Sequence, residues 1–285
     1  MTVAVVIKVN DGFVFASDSA STVGATAGPG GALVARNVYN NANKIFNLRK
    51  GLPVAAMTWG LGNIAQASIS TLTKDLRARF SDETDVWYLK PDYKMSEVAD
   101  RFREFFWEKK YQPMVAALPT PPDDETCERM RLGLLVAGYS ADAEFPEIFQ
   151  LDMTPKGCGD LVPVLADEAG VAAWGQPEAV ARIMNGVSLA MPEALKSLGV
   201  PEDEAVPYTL ALQTQLQTQL VVAPMPIQDA IDLAEFLVQV TIGFVRFSPG
   251  LPTVGGPIEI AAITRHERFV WVKRKHFFDL TLNPQ

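Results

Sequence analysis

Thr2 is the residue of this sequence whose position offers an unusual chemistry. Methionine is normally removed when the second residue is as small as threonine, and removal of Met1 would leave a free α-amine beside the hydroxyl. An α-amine has a pKa of about 7.7–8.0, so much of it is neutral near neutral pH and can take the hydroxyl proton. The threonine oxygen then acts as a nucleophile without a histidine. On position alone, the commoner interpretation is that Thr2 only begins a β-strand.

The composition leaves few other routes to catalysis. The 285 residues include two histidines, His266 and His276, and two cysteines, Cys127 and Cys158. Two histidines leave little room for a histidine-based metal site or a Ser-His-Asp triad. The two cysteines match neither a metal-ligand spacing nor a disulfide framework. We therefore expect no metal and no cofactor.

The charge and hydropathy of the chain exclude other classes of protein. The net charge is −8, and the short run 273–275 is the only basic cluster, whereas a nucleic-acid binder needs a basic face. No apolar run of about 18 residues would span a bilayer. The N-terminus lacks the basic start and apolar stretch of a signal peptide. We expect a cytoplasmic protein that binds neither nucleic acid nor membrane.

The first 60 residues contain two hairpin patterns. The first has β-branched and apolar runs at 2–9 and 13–18 around an Asp-Gly turn. Both runs are apolar at nearly every position, which predicts a sheet covered on both faces. The second hairpin is predicted at 44–48 and 52–58. Residues 19–40 between them are rich in Gly, Ala, Ser and Asn, and they predict a long loop.

The rest of the chain predicts helices and strands in consecutive blocks. Periodicity predicts helices near 64–76, 96–108, 177–185, 203–222 and 228–247, and strands near 132–139, 147–153, 170–174, 257–264 and 269–275. Residues 112–127 contain four prolines and three successive acids, which predict an exposed connection. Blocks of this kind argue against simple βαβ alternation and favour helices layered over a sheet sandwich.

The opening segment resembles that of proteasome β subunits. In that family a threonine strand is followed by an Asp-Gly turn, an apolar strand and an aspartate, and here Asp18 follows Thr2 by sixteen positions. Lys44 matches the family's lysine in the third strand. The bacterial peptidase HslV and the proteasome-like protein Anbu open in a similar way, and residues 253–260 (TVGGPIEI) look like the corresponding segment of Anbu. The resemblance is specific in the first 60 residues and weaker in residues 80–225.

This resemblance implies a fold and a domain organisation. The fold is the α+β, four-layer αββα sandwich of the N-terminal nucleophile (Ntn) hydrolases, which has two antiparallel sheets. Residues 1–285 would form a single domain, with insertions near 20–40, 112–127 and 187–225.

The resemblance also implies a role for each candidate site residue. Thr2 would be the nucleophile, the Lys44 ammonium would lower the pKa of its hydroxyl, and Asp18 would keep that lysine charged and oriented. Trp59 and Gly60 stand where the family supplies a backbone N–H to the oxyanion. Thr22 matches a polar residue that contacts the substrate backbone.

Three positions depart from the family pattern and leave alternatives open. Trp174 stands where the family has a serine that supports the threonine amine, and Leu251 and Val254 stand where it has an aspartate and a serine. The leading expectation is a threonine-type peptidase that acts on peptides or unfolded proteins as a homo-oligomeric ring, with or without an ATP-dependent unfoldase. The alternatives are a catalytically weak or inactive ring or scaffold, and a small-molecule amide hydrolase of the same fold.

Overall fold

The fold is built from two antiparallel sheets packed face to face. A computed structural model describes residues 2–26 and 33–276. In chain order the strands are β1 (Val3–Val9), β2 (Gly12–Ser17), β3 (Ser21–Thr26), β4 (Leu33–Tyr39), β5 (Ile45–Asn47), β6 (Val54–Gly60), β7 (Asn63–Ile64), β8 (Ala67–Ser68), β9 (Leu132–Gly138), β10 (Glu147–Thr154), β11 (Gly157–Cys158), β12 (Val162–Pro163), β13 (Gly170–Gly175), β14 (Glu259–Thr264) and β15 (Arg268–Lys273).

Helices cover the outer faces of these sheets. They are α1 (Ile69–Ser81), α2 (Met95–Arg103), α3 (Gln112–Ala116), α4 (Asp124–Arg129), α5 (Glu178–Asn185), α6 (Met191–Ser197), α7 (Glu202–Leu216) and α8 (Ile227–Phe247). A π-helical segment, Glu104–Tyr111, joins α2 to α3. No helix within the described ranges is long and apolar enough to cross a bilayer.

The first sheet has the strand order β13-β1-β2-β14-β15 and carries Thr2 at one end of β1. All residues of β1, β2 and β14 are buried, as expected for a sheet covered on both faces. At the end of β13, Gly175 has φ +83°, and a Cβ there would lie 2.0 Å from the carbonyl oxygen of Thr2. Glycine is therefore required where β13 meets the start of β1.

The second sheet has the order β11-β10-β9-β6-β5, with β12 also paired to β10. Alternation along the strands gives each sheet an inner and an outer face. In β1, Ala4 and Val6 point toward the second sheet, whereas Val3 and Val5 point toward the helices. The inter-sheet core contains mainly large apolar side chains: Phe13, Phe15, Ile45, Met57, Trp59, Leu135 and Ile263.

The outer layers complete a four-layer structure. Helices α5 and α8 pack on the first sheet, with Leu237 and Val238 of α8 fully buried. Helices α1 and α2 pack on the second sheet through residues such as Leu76 and Phe102. The order of layers is helix, sheet, sheet, helix. The α+β sandwich of antiparallel sheets that the resemblance implied is therefore confirmed.

Two segments differ from the prediction. The described part of 19–40 is not a loop: β3 and β4 form an antiparallel hairpin in which Thr22 lies opposite Val38. β-Branched residues on both sides of the glycines favour strands, and the glycine-rich centre, 27–32, lies outside the described residues.

The segment 112–127 is also more ordered than an exposed connection. Pro113 lies near the start of α3, directly after the π-helical segment, in a helical run that is continuous over residues 95–116. The carboxylate of Asp123 caps α4 by accepting a hydrogen bond from the N–H of Thr126, at 2.8 Å. Cys127 is buried. The proline and acid that predicted a connection instead begin two short helices.

Candidate active site

Five of the six predicted site residues line one cavity. Its volume is about 440 Å³, and its walls include Thr2, Thr22, Lys44, Trp59 and Gly60. The sixth, Asp18, lies directly behind Lys44. The structure therefore brings together residues that are up to 58 positions apart in the sequence.

Asp18 is fully buried and holds the start of β1 in place. Its Oδ1 accepts hydrogen bonds from the Lys44 ammonium at 2.6 Å and from the N–H of Val3 at 3.1 Å. Its Oδ2 accepts from the N–H groups of Ala20 and Gly255, each at 3.0 Å. Burial of an ionised carboxylate is costly unless it is paired, and these four donors supply the pairing. Because Val3 is among them, Asp18 also fixes the position of Thr2.

Lys44 presents a buried cation to the cavity. Its side chain is 6% exposed, and its backbone carbonyl accepts a hydrogen bond from the N–H of Thr58, which anchors it to β6. Burial lowers the pKa of Lys44 below its ordinary value of 10.5, and the charge of Asp18 opposes that shift. A lysine in this state can stabilise a developing negative charge and also exchange a proton.

A second buried ion pair lies beside the first, and sequence reasoning missed it. The Lys275 ammonium lies 2.6 Å from Oε2 of Glu259, and it also donates to the Ser19 hydroxyl at 2.8 Å and to the carbonyl of Ala42 at 2.9 Å. Burial lowers the pKa of Lys275. Across the short separation, the charge of Lys275 lowers the pKa of Lys44, whereas the charge of Glu259 raises it. The second pair therefore tunes the first.

The end of β6, next to Lys44, forms another part of the cavity wall. Gly60 has φ +85°, and a Cβ there would lie 2.3 Å from the carbonyl oxygen of Arg131. Only glycine fits this turn. Thr58, a further lining residue missed in the sequence, donates its hydroxyl to the carbonyl of Gly133 at 3.2 Å. A lone threonine within an apolar strand was its only sequence signal.

The three departing positions lie outside the cavity wall. Trp174 stacks on Trp59 in the inter-sheet core and donates its indole N–H to the Gln150 side chain at 2.9 Å. Leu251 is largely exposed, and Val254 is buried beneath the first sheet. None of these three is among the described residues that line the cavity. Within the described ranges, no group of three or more His, Cys, Asp or Glu side chains gathers as a metal site would require.

Comparisons with known proteins extend the resemblance to the whole fold. No protein-family model matches the sequence, and a search of curated proteins finds no match. The structure is similar to Anbu (ancestral beta-subunit) from Yersinia bercovieri, with 13% identity over 96% of this chain and 88% of that one and a TM-score of 0.50. It is also similar to an Anbu (Gly-1) mutant from Hyphomicrobium sp. strain MC1, with 14% identity over 96% and 86% of the two chains and a TM-score of 0.52.

These similarities bear on the fold. The chain has the fold of these two Anbu structures along nearly its whole length, which confirms the predicted resemblance at the level of the fold. A shared fold does not by itself assign an activity, because function depends on the site that the fold carries.

Proposed function

We propose that the protein is a threonine-type peptidase whose nucleophile is Thr2 after removal of Met1. The observation that carries this proposal is the meeting of Thr2 and Lys44 in one cavity, with Lys44 held by the buried carboxylate of Asp18. A surface lysine would not need a buried partner, and a threonine that only begins a strand would not need a cation beside it. The pair fits a requirement to stabilise an oxygen nucleophile.

The mechanism uses the three side chains and the wall at β6. The α-amine takes the Thr2 hydroxyl proton while the Lys44 ammonium stabilises the negative oxygen. That oxygen attacks the peptide carbonyl, and the backbone N–H of Gly60, in the wall formed by Trp59 and Gly60, stabilises the resulting oxyanion. The C–N bond then breaks, and the α-ammonium returns its proton to the leaving amine. The α-amine next takes a proton from a water molecule that attacks the ester carbonyl, the bond to the Thr2 oxygen breaks, and the α-ammonium returns the proton to that oxygen, which frees the carboxylic acid product.

Covalent labelling tests the nucleophile directly. A β-lactone or epoxyketone probe is expected to add once, at Thr2, and intact mass is expected to show that Met1 has been removed. Thr2→Ala should abolish labelling, whereas Thr71→Ala, which removes another hydroxyl lining the cavity, should not. A mature protein that keeps Met1, or an adduct on another residue, would contradict the proposal.

The exposed face of α8 supports the homo-oligomeric part of the proposal. Phe236, Phe244 and Phe247 lie on this helix and remain exposed, while the opposite face packs on the first sheet. Large exposed apolar patches commonly mark association surfaces. A ring with its active sites facing a shared interior would confine the peptidase and restrict it to peptides or unfolded chains.

A small-molecule amide hydrolase is the second candidate. The volume of about 440 Å³ lies within the range of roughly 300–1,000 Å³ that is usual for small-ligand sites. Turnover of short amides, with no cleavage of peptides or unfolded proteins, would favour it. An inactive ring or scaffold is the alternative favoured by Trp174, which stands at a supporting position. It requires that the β-lactone or epoxyketone probe forms no covalent adduct.

A further inference from the structure

A second cavity, of about 240 Å³, lies beside the Thr2 cavity. Its walls carry five lysine and arginine side chains, Lys50, Lys74, Arg77, Arg274 and Lys275, and we refer to it as the basic pocket. The two cavities share a wall that includes Lys74, so a ligand bound at Thr2 can extend into the basic pocket. Only the basic run 273–275 was visible in the sequence, because the cations of the pocket come from three separate segments.

Four of the five cations of the basic pocket, all except Lys275, have no carboxylate partner among the described residues. Within residues 2–26 and 33–276, Lys50, Lys74 and Arg77 form no ion pair, and Arg274 lies over the ring of Trp271, 5.0 Å from its centroid. Elsewhere on the surface, eight other lysines and arginines are paired with acids: Arg79, Lys109, Arg129, Arg131, Lys156, Arg182, Lys196 and Lys273.

The remaining charges of the pocket do not neutralise this cluster. Glu259 also lines it, but its carboxylate is already paired with Lys275 at 2.6 Å. The cluster therefore stands as a local excess of positive charge on a chain whose net charge is −8. Such an excess focuses the electrostatic potential in a concave site and attracts anions. Arginine guanidinium groups bind carboxylates with two parallel hydrogen bonds, which adds geometric selectivity.

We propose that the basic pocket binds the carboxylates of an acidic peptide segment whose scissile bond lies at Thr2. This inference rests on the proposed peptidase function, and it names the substrate class as peptides with Asp or Glu near the cleavage site. The shared wall at Lys74 favours a peptide over a free anion, because one chain can occupy both cavities. A cavity of this size accommodates one or two acidic side chains.

Binding to the Thr2→Ala protein tests the pocket without turnover. The probes are two fluorescent peptides of equal length, one rich in Glu and the other with Gln at the same positions, followed by fluorescence anisotropy. The acidic peptide is expected to bind at least ten times more tightly, and the difference should shrink with added salt. Equal binding of the two peptides would overturn the proposal.

Matched charge variants locate the effect. Lys50→Gln with Lys74→Gln removes two exposed cations of the pocket, and Lys90→Gln with Lys94→Gln removes two exposed cations outside it. Surface changes of this kind leave stability within about 0.5 kcal/mol, so both proteins should fold. Only the first pair should abolish the preference for Glu. An equal loss of the preference for Glu in both double variants would show that the preference depends on net charge, and would overturn the pocket proposal.

Two further outcomes separate the sources of anion and the two proposals. Inorganic phosphate is expected to compete with the acidic peptide; phosphate binding without peptide binding would make the pocket a free-anion site and overturn the peptide proposal. Absence of a preference for Glu, together with normal labelling of Thr2, would contradict the pocket proposal and leave the peptidase proposal standing. Selective binding of the acidic peptide, together with no labelling of Thr2, would contradict the peptidase proposal instead.

Discussion

The indole rings of Trp59 and Trp174 stack between the two sheets, with centroids 5.0 Å apart and planes at 19°. One ring comes from β6 of the second sheet and the other from β13 of the first. Trp174 stands where proteasome-like sequences carry a serine that supports the threonine amine. Here that position serves packing, so any support of the Thr2 amine must come from other groups.

The first prediction concerns this stacked pair. Trp174→Ala should lower the free energy of unfolding by about 3 kcal/mol, the lower end of the range for truncation of a buried aromatic, because the indole is only partly buried. Trp174→Phe keeps a ring on Trp59 and loses the hydrogen bond to Gln150, at a cost of about 1 kcal/mol. Urea unfolding measures both. Equal losses would show that stacking contributes nothing measurable.

The second prediction concerns the ion pair of Lys44 and Asp18. Lys44→Ala should abolish peptide hydrolysis and lower stability by about 3 kcal/mol, because it leaves a buried carboxylate without its cation. Adding Asp18→Asn removes that uncompensated charge, so the double variant should be more stable than the sum of the single losses indicates. Strictly additive losses of stability in chemical unfolding would contradict the pairing of Lys44 with Asp18. Peptide hydrolysis by Lys44→Ala would contradict the catalytic role of Lys44.

Lys44→Arg separates charge from geometry. A guanidinium keeps the positive charge but is planar and bulky for a site built around an ammonium 2.6 Å from Asp18. We expect this variant to fold, to assemble as the unmodified protein does, and to be nearly inactive. Wild-type turnover would leave Thr2 without its proposed electrostatic partner.

The third prediction is a pair of opposite shifts in the pH dependence of kcat/KM. Burial lowers the pKa of Lys44, so activity that needs its ammonium should fall on an alkaline limb below pH 10.5. Lys275→Gln removes a cation that lowers this pKa, so the limb should move to higher pH. Glu259→Gln removes an anion that raises it, so the limb should move to lower pH. Shifts in the same direction would show that the second ion pair acts only through structure.

The fourth prediction concerns the wall at β6. Gly60→Ala should lower stability by roughly 1–3 kcal/mol and reduce kcat, because φ +85° and the carbonyl of Arg131 leave no place for a Cβ. Gly62→Ala is the matched control, since its Cβ would meet only the Ser21 hydroxyl, at an ordinary 3.6 Å. Thermal unfolding and peptide hydrolysis distinguish the two. Similar stability and similar kcat in the two variants would contradict the requirement for glycine at position 60.

The fifth prediction tests assembly. Phe247 is 83% exposed at the end of α8, so Phe247→Asp should not disturb the core and should weaken a homo-oligomer that buries this residue. Light scattering should show a loss of mass for this variant, while Lys90→Gln should leave the mass unchanged. A monomeric unmodified protein would contradict the ring proposal.

Much of the fold followed from local patterns. The first hairpin was predictable because β1 and β2 are apolar at almost every position around an Asp-Gly turn. The hairpin within 20–40 was missed because its glycine-rich centre suggested a loop more strongly than its β-branched residues suggested strands. In 112–127 the prolines predicted a connection, although Pro113 lies inside the helical run that continues from α2 through the π-helical segment.

The candidate site divides in the same way. Thr2, Asp18 and Lys44 were predicted because a resemblance fixes their spacing within one short stretch. Glu259 and Lys275 were not predicted, because the hydrogen bonds of Lys275 to Ser19 and Ala42 join opposite ends of the chain. No local pattern encodes such a contact. It arises only when β14 pairs with β2 and brings the last described residues beside the first hairpin.

The four hydrogen bonds of Asp18 have an evolutionary consequence. The same carboxylate holds the start of β1, the chain after β2 and the turn at Gly255, and it neutralises Lys44. Selection for a folded chain would therefore retain Asp18 and Lys44 in descendants that had lost catalysis. Thr2 bears no comparable structural duty and would drift first. Under the proposed mechanism, replacement of Thr2 in a homologous sequence would mark a lost activity, whereas retention of the ion pair would mark only a retained fold.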